Sequence, residues 1–199
     1  MKLTARSTLG AVATVVGDAL RREGISAVLT GGACANIYSG GRHQSVDADF
    51  IVTSAASQAA VDRVMENIGF TRKGDRYVHA QAKSYVEFPR GPLAIGNDYQ
   101  IHPVELKTEY GRTLILSATD SCRDRLAAFY HWGDRQSLRV AVRIAVTQRV
   151  SLAKIRRWSI EEGAREGFEE FAREVKRVRV QPNFVTSPRR PRRSARRTS

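Results

Sequence analysis

Cysteine is scarce in this chain, and so are long apolar runs. The two cysteines, Cys34 and Cys122, form no disulfide framework and no pattern with metal-ligand spacing. We expect each to act as a small apolar residue in a reducing compartment. No apolar run approaches the roughly 18–20 residues that a membrane span requires. These absences predict a cytoplasmic protein with no membrane partner.

Acidic residues are missing from the C-terminal end, which makes the charge very uneven. Nine of the 33 Lys and Arg residues lie from Lys176 onward, where there is no Asp or Glu. The formal charge of +13 therefore falls to +4 over residues 1–175. Residues 179–199 are predicted to be a disordered Arg-rich tail. Such a tail can neutralise the phosphates of tRNA or another nucleic acid, and a purely solubilising tail is the alternative.

The apolar pattern predicts an α+β fold in two parts. A mixed sheet with flanking helices is expected over residues 1–117, and a run of helices over residues 118–178. The predicted helices are 5–23, 33–38, 58–68, 119–132, 135–148, 151–162 and 164–177. The predicted strands are 25–30, 48–53, 70–72, 76–79, 84–88, 104–106 and 112–116. Ser121 with Asp124 suggests a capping box, and Gly133 and Asp134 suggest a C-cap followed by an N-cap. Trp132 and Trp158 are expected to fill the core, with stacking on a base as the alternative.

Two glycines and two aspartates are the main candidate functional residues within 27–52. Gly31 and Gly32 stand between a predicted strand and a short helix, where a backbone without β-carbons can approach phosphate oxygens. A glycine pair in such a turn can also serve the turn alone. Asp47 and Asp49 are two positions apart on the next strand, so their side chains leave the same face. Paired carboxylates repel one another unless a cation such as Mg²⁺ lies between them.

A third carboxylate from a neighbouring strand would complete a site for metal-assisted phosphoryl chemistry. Glu87 is the best candidate because it ends an otherwise apolar strand, and Glu105 is the second candidate. Either could instead be a surface acid on an edge strand. Arg42 and His43 could contact a phosphate or simply belong to a solvated loop. Arg125 on a predicted helix could reach a phosphate or form an ordinary ion pair.

This combination resembles the nucleotidyltransferase superfamily, whose signature is Gly-[Gly/Ser] followed after a gap by Asp-x-[Asp/Glu] on the next strand. Gly31, Gly32, Asp47 and Asp49 match it. The run Arg42-x-x-Ser45-x-Asp47-x-Asp49 further resembles minimal nucleotidyltransferases of the AbiEii toxin type and related families. The resemblance covers roughly residues 20–135. It departs at position 33, which is Ala where many active members carry Ser, and in a glutamate as third acid.

The resemblance implies a nucleotidyltransferase-like mixed sheet and a role for each matched residue. Gly31 and Gly32 would contact the triphosphate of an NTP, with Arg42 and Ser45 beside it. The residues that would bind Mg²⁺ or Mn²⁺ are Asp47, Asp49 and Glu87.

The function implied is transfer of a nucleotidyl group from an NTP to a hydroxyl of RNA (tRNA), of a protein or of a small molecule. A toxin role, with a cognate antitoxin as partner, is a further implication of the resemblance. Two alternatives stay open at this point. The chain could be a catalytically inactive nucleotidyltransferase-fold module that binds nucleic acid, or an antitoxin or other interaction partner.

Overall fold

The computed structural model describes residues 3–180 of the chain. The predicted disordered tail lies outside the described residues except for positions 179 and 180, which belong to the last helix. None of the helices within residues 3–180 has the length and hydrophobicity to cross a membrane. The cytoplasmic location stays a prediction.

Seven helices and seven strands make up the described part of the chain, and the predicted α+β class is confirmed. The helices are α1 Leu9–Arg22, α2 Gly31–Tyr38, α3 Gln58–Asn67, α4 Ala118–Trp132, α5 Arg135–Thr147, α6 Leu152–Glu161 and α7 Arg165–Val180. The strands are β1 Ala27–Leu29, β2 Asp47–Val52, β3 Phe70–Lys73, β4 Arg76–His79, β5 Tyr85–Glu87, β6 Val104–Thr108 and β7 Gly111–Ile115.

The strands form one mixed sheet in the order β3-β4-β5-β2-β1-β7-β6. β2 lies at its centre, antiparallel to β1 and parallel to β5. β1 is parallel to β7, and two antiparallel hairpins, β3-β4 and β6-β7, close the edges. Ala48 and Phe50 of β2 are completely buried, so the apolar face of this strand packs against the core and leaves its polar face on the other side.

The helical part packs on α2 through α4, which also contacts α5 and α6. Arg123 of α4 is completely buried and joins α4 to α6 and to the irregular segment 90–102. Its guanidinium donates to Asp120 at 2.8 Å and to Asp98 of the irregular segment 90–102, and it lies over the ring of Trp158 at 4.9 Å. The helical part and the irregular segment are therefore held together by a buried charge network.

Three local predictions need correction. α1 begins at Leu9 rather than at residue 5, because the Thr8 side chain accepts a hydrogen bond from the Ala11 amide and starts the helix there. α4 is capped by Ser117, whose hydroxyl accepts from the Asp120 amide, so Ser121 is an interior residue and not a cap. The third correction concerns the tryptophans. Trp158 is buried as expected, but Trp132 is 80% exposed and fills no core.

Two other expectations are confirmed. Gly133 ends α4 in the left-handed conformation, and the Asp134 side chain caps α5 by accepting from the Gln136 and Ser137 amides. Both cysteines are buried and free.

Candidate active site

Three carboxylates meet on one face of the sheet where β2 and β5 lie side by side. Asp47 and Asp49 alternate with the buried Ala48 and Phe50, so the strand places both carboxylates on the face opposite its buried side chains. Parallel pairing sets Asp49 directly beside Glu87. Each of the three carboxylates offers one oxygen within 4.8 Å of the others. This set of hard oxygen donors fits Mg²⁺ or Mn²⁺.

The structure distinguishes the two candidates for the third acid. Glu87 belongs to the cluster, whereas Glu105 lies on β6 at the far edge of the sheet. There Glu105 is paired with Lys107 at 3.1 Å. Two strands, β1 and β7, lie between β6 and β2, a distance that no side chain spans.

The glycine turn lies against the aspartates. A β-carbon built on Gly31 would be 2.4 Å from Oδ2 of Asp49, and one built on Gly32 would be 2.4 Å from Oγ of Ser45. Gly31 also has a φ of +59°, in the region that favours glycine. The turn is thus built of glycine because the carboxylate face of β2 approaches the start of α2 too closely for side chains.

Ser45 orients one of the aspartates. Its hydroxyl donates to Oδ1 of Asp47 at 2.5 Å. The resemblance places Ser45 beside the phosphates, and the structure adds a direct contact with the carboxylate. A hydrogen bond from a neighbouring residue fixes a metal-ligating carboxylate and tunes its affinity.

The electrostatics of the cluster favour a bound cation. Burial, together with the charges of Asp47 and Glu87, raises the pKa of Asp49 from 3.8 to about 6. Asp47 and Glu87 thus disfavour the ionisation of Asp49 when nothing positive lies between the carboxylates. A divalent cation would remove that repulsion, so the residues present fit the metal that the sequence pattern implies.

Comparison with solved structures identifies the fold. The crystal structure of an antigenic nucleotidyltransferase-like protein from Paracoccidioides brasiliensis matches this chain with a TM-score of 0.56 and 14% identity, over 87% of this chain and 94% of the other. The chain has a nucleotidyltransferase-like fold. A weaker likeness, with a TM-score of 0.49 and 13% identity over 81% of this chain and 97% of the other, is to ANT(2″)-Ia in complex with adenylyl-2″-tobramycin. No protein-family model and no curated protein matches the sequence.

Within this nucleotidyltransferase-like fold, α4 places the positive charge of Arg125 near the carboxylates. The Arg125 side chain is only 19% exposed and pairs with Asp124 at 2.6 Å, and its charge offsets part of the rise in the pKa of Asp49. The sequence left Arg125 open between a phosphate contact and an ion pair. The structure shows the ion pair and also places the guanidinium close enough to Asp49 to stabilise the ionised carboxylate.

His43 also lies at this site, and Arg42 beside it is exposed. Burial and the neighbouring Arg125 lower the pKa of His43, although Asp47 opposes the shift. His43 is therefore a neutral hydrogen-bonding group near the glycine turn. Arg42 is exposed and lies with His43 and Gln44 along a groove against α5. Its side chain makes no described hydrogen bond or ion pair to the carboxylates within residues 3–180.

Ala33, the departure from the signature, is completely buried. Its side chain faces the protein interior rather than open solvent at the turn. The site can therefore offer a phosphate the backbone of Gly31 and Gly32, Arg125 of α4, and Arg42 of the loop before β2.

Periodicity alone could not identify Arg125 as part of the site, because its proximity depends on how α4 packs on α2.

Proposed function

We propose that this protein is a Mg²⁺- or Mn²⁺-dependent nucleotidyltransferase, which moves a nucleotidyl group from an NTP to a hydroxyl group of its acceptor. One observation carries the proposal: Asp47, Asp49 and Glu87 converge within 4.8 Å of one another. They do so beside a glycine turn that opens a helix, in a fold of the nucleotidyltransferase type. Carboxylates and a phosphate-sized turn are together what triphosphate chemistry requires.

The residues that would hold the cation are Asp47, Asp49 and Glu87. Bound there, a divalent cation neutralises the triphosphate and lowers the pKa of an acceptor hydroxyl. Ser45 supports this set by holding the Asp47 carboxylate in one orientation. Arg125 keeps Asp49 more easily ionised than burial alone would allow.

The first turn of α2 would bind the triphosphate. Its leading amides, at Gly31 and Gly32, have no acceptor within the helix, and the positive end of the helix dipole adds to their attraction for phosphate. Arg125, and Arg42 on the loop, would supply positive charge. In the reaction the acceptor oxygen forms a bond to the α-phosphorus as the bond to pyrophosphate breaks. The hydroxyl proton leaves to a carboxylate or to solvent.

The test is transfer of label from α-³²P NTPs by the full-length protein with Mg²⁺, each NTP being supplied separately with bulk RNA or with a cell lysate. Labelled product that requires Mg²⁺ supports the proposal. Asp47→Asn/Asp49→Asn should remove at least 99% of that product, a loss of about 3 kcal/mol in transition-state stabilisation.

Asp75→Asn is the matched control. Asp75 is an exposed acid in the β3-β4 turn, so the change removes a charge without touching the site. Its activity should equal that of the wild type. Absence of labelled product with every NTP, or equal product from the double variant, would contradict the proposal.

The acceptor is the open part of the proposal: an RNA such as tRNA, a protein or a small molecule would each supply the hydroxyl. A toxin role and a cognate antitoxin follow from the sequence resemblance alone. A non-catalytic module that binds nucleic acid is the competing function, and it predicts binding without labelled product.

A further inference from the structure

A groove lined by unpaired arginines runs from the candidate active site along α5. The residues that line it are Arg42, His43 and Gln44 of the loop before β2, and Gln136, Arg139 and Arg143 of α5. Arg139 and Arg143 are one helical turn apart, so both project from the same ridge of α5. His43 connects this groove to the site, because its Nε2 would lie 3.6 Å from a β-carbon built on Gly32 of the glycine turn.

The arginines of this groove differ from the other arginines nearby. Arg135 and Arg177 each pair with a glutamate at 2.6 Å. Arg42, Arg139 and Arg143 are exposed, and none of them forms an ion pair within residues 3–180. Three guanidinium groups around one groove repel one another unless an anion is bound. A ligand with several negative charges in a row therefore fits the groove better than a single anion.

An exposed tryptophan ends α4, the helix that precedes α5. Trp132 is the last residue of α4 and is 80% exposed. It follows Arg125 by seven residues, which puts both side chains on one face of α4, about 10 Å apart along the helix. Only Gly133 and the cap residue Asp134 separate it from α5, the helix that carries Arg139 and Arg143.

We propose that Arg42, Arg139 and Arg143 of this groove form one surface with Trp132, and that this surface binds a single strand of nucleic acid. Phosphodiester groups would pair with the arginines, and a base would stack on the indole of Trp132. A positively charged groove with an aromatic platform is how proteins bind single strands without reading sequence. A strand bound there passes the carboxylate cluster. Its use as the acceptor rests on the proposed function, but its binding does not.

Tryptophan fluorescence can test binding at this surface, because the two tryptophans differ in exposure. The chain has two, and Trp158 is 3% exposed with its indole N–H donating to the Ile95 carbonyl. A stacked base should therefore quench the emission of Trp132 alone. The full-length protein is titrated with a twelve-nucleotide single-stranded RNA, and separately with DNA of the same sequence, in Mg²⁺ without NTP. RNA, DNA or both should quench the wild type, and Trp132→Phe should show no quenching.

The arginines are tested by Arg139→Gln/Arg143→Gln. The variant should bind the strand at least tenfold more weakly, and the slope of log Kd against log salt should fall by about 1.4 because two phosphate contacts are lost. Arg156→Gln/Arg157→Gln is the matched control. These two arginines are exposed on α6, which packs on α4 and α7, and the pair should bind as the wild type does.

Several results would overturn the inference. They are a lack of quenching by both strands, quenching that Arg139→Gln/Arg143→Gln leaves unchanged, and equal quenching by inorganic polyphosphate, which has charge but no bases. Failure here can be told apart from failure of the proposed function. Asp47→Asn/Asp49→Asn should still bind the strand while making no product, and an enzyme that labels another acceptor without binding a strand would leave the proposed function intact.

Discussion

Gly31 and Asp49 are packed so closely that a β-carbon on the glycine would lie 2.4 Å from the carboxylate oxygen Oδ2. Gly31→Ala should therefore displace the Asp49 carboxylate in addition to straining a backbone whose φ is +59°. We expect a loss of at least 100-fold in transferase activity and of about 2–3 kcal/mol in the free energy of unfolding. Steady-state assays and denaturant unfolding measure the two effects.

Gly40→Ala separates these causes. Gly40 has a φ of +69°, but a β-carbon there would meet nothing within 4 Å. This variant should lose about 1 kcal/mol from backbone strain and keep its activity. If Gly31→Ala behaves in the same way as Gly40→Ala, the close approach to Asp49 has no part in function.

Asp49 should destabilise the metal-free protein near neutral pH. Its pKa is raised from 3.8 to about 6, so the folded state resists its ionisation and loses stability as the pH rises through that range. Asp49→Asn removes this loss. With EDTA at pH 7 the variant should be about 1–2 kcal/mol more stable than the wild type, after allowance for solvent screening. Near pH 4 the difference should largely vanish.

Thermal unfolding between pH 4 and pH 8 measures this effect. Mg²⁺ should raise the melting temperature of the wild type and have little effect on Asp49→Asn, because the variant has lost both the repulsion and a ligand. A variant that is less stable than the wild type at pH 7 in EDTA would show that Asp49 does not carry the predicted repulsion.

The Ser45 hydroxyl should affect Mg²⁺ binding rather than the stability of the fold. Ser45→Ala removes the hydrogen bond to Asp47, and we expect Mg²⁺ affinity and activity to fall about 10- to 100-fold. Ser45→Thr retains the hydroxyl and should retain most of the activity. Mg²⁺ titration of activity is the measurement. An unchanged Mg²⁺ requirement in Ser45→Ala would argue against a positioning role for this residue.

Arg125 should help to bind the triphosphate. Arg125→Gln removes a positive charge that acts on Asp49 and leaves Asp124 without its partner. We expect the KM for NTP to rise about tenfold or more, since a charge-assisted contact is lost. Arg156→Gln, on the exposed side of α6, is the control and should leave the KM unchanged. An unchanged KM in Arg125→Gln would place Arg125 outside the nucleotide site.

The sequence predicts the sheet and the carboxylates well because both depend on local patterns. Alternation along β2 already places Asp47 and Asp49 on one face, and the glycine turn is visible between two apolar runs. The choice between Glu87 and Glu105 depends on which strand pairs with β2. That pairing is made between segments more than 30 positions apart in the sequence, and local pattern does not specify it.

The helical half is harder to interpret from sequence. Helical spacing predicts α4 and α5, but it does not show that Trp132 is exposed while Trp158 is buried. That difference arises because α6 packs against α4 and the irregular segment 90–102 covers Trp158. The alignment of Arg139 and Arg143 with the loop at Arg42 likewise depends on tertiary packing.

Asp47, Asp49 and Glu87 are proposed to hold a divalent cation for nucleotidyl transfer. A crystal structure of the protein with Mn²⁺ and a non-hydrolysable NTP tests it most directly, through the anomalous signal of manganese. We expect an anomalous manganese peak about 2.1 Å from oxygens of Asp47 and Asp49, with Glu87 in reach. The triphosphate should lie against Gly31 and Gly32. Bound nucleotide with no manganese at these carboxylates, or manganese held elsewhere in the chain, would contradict it.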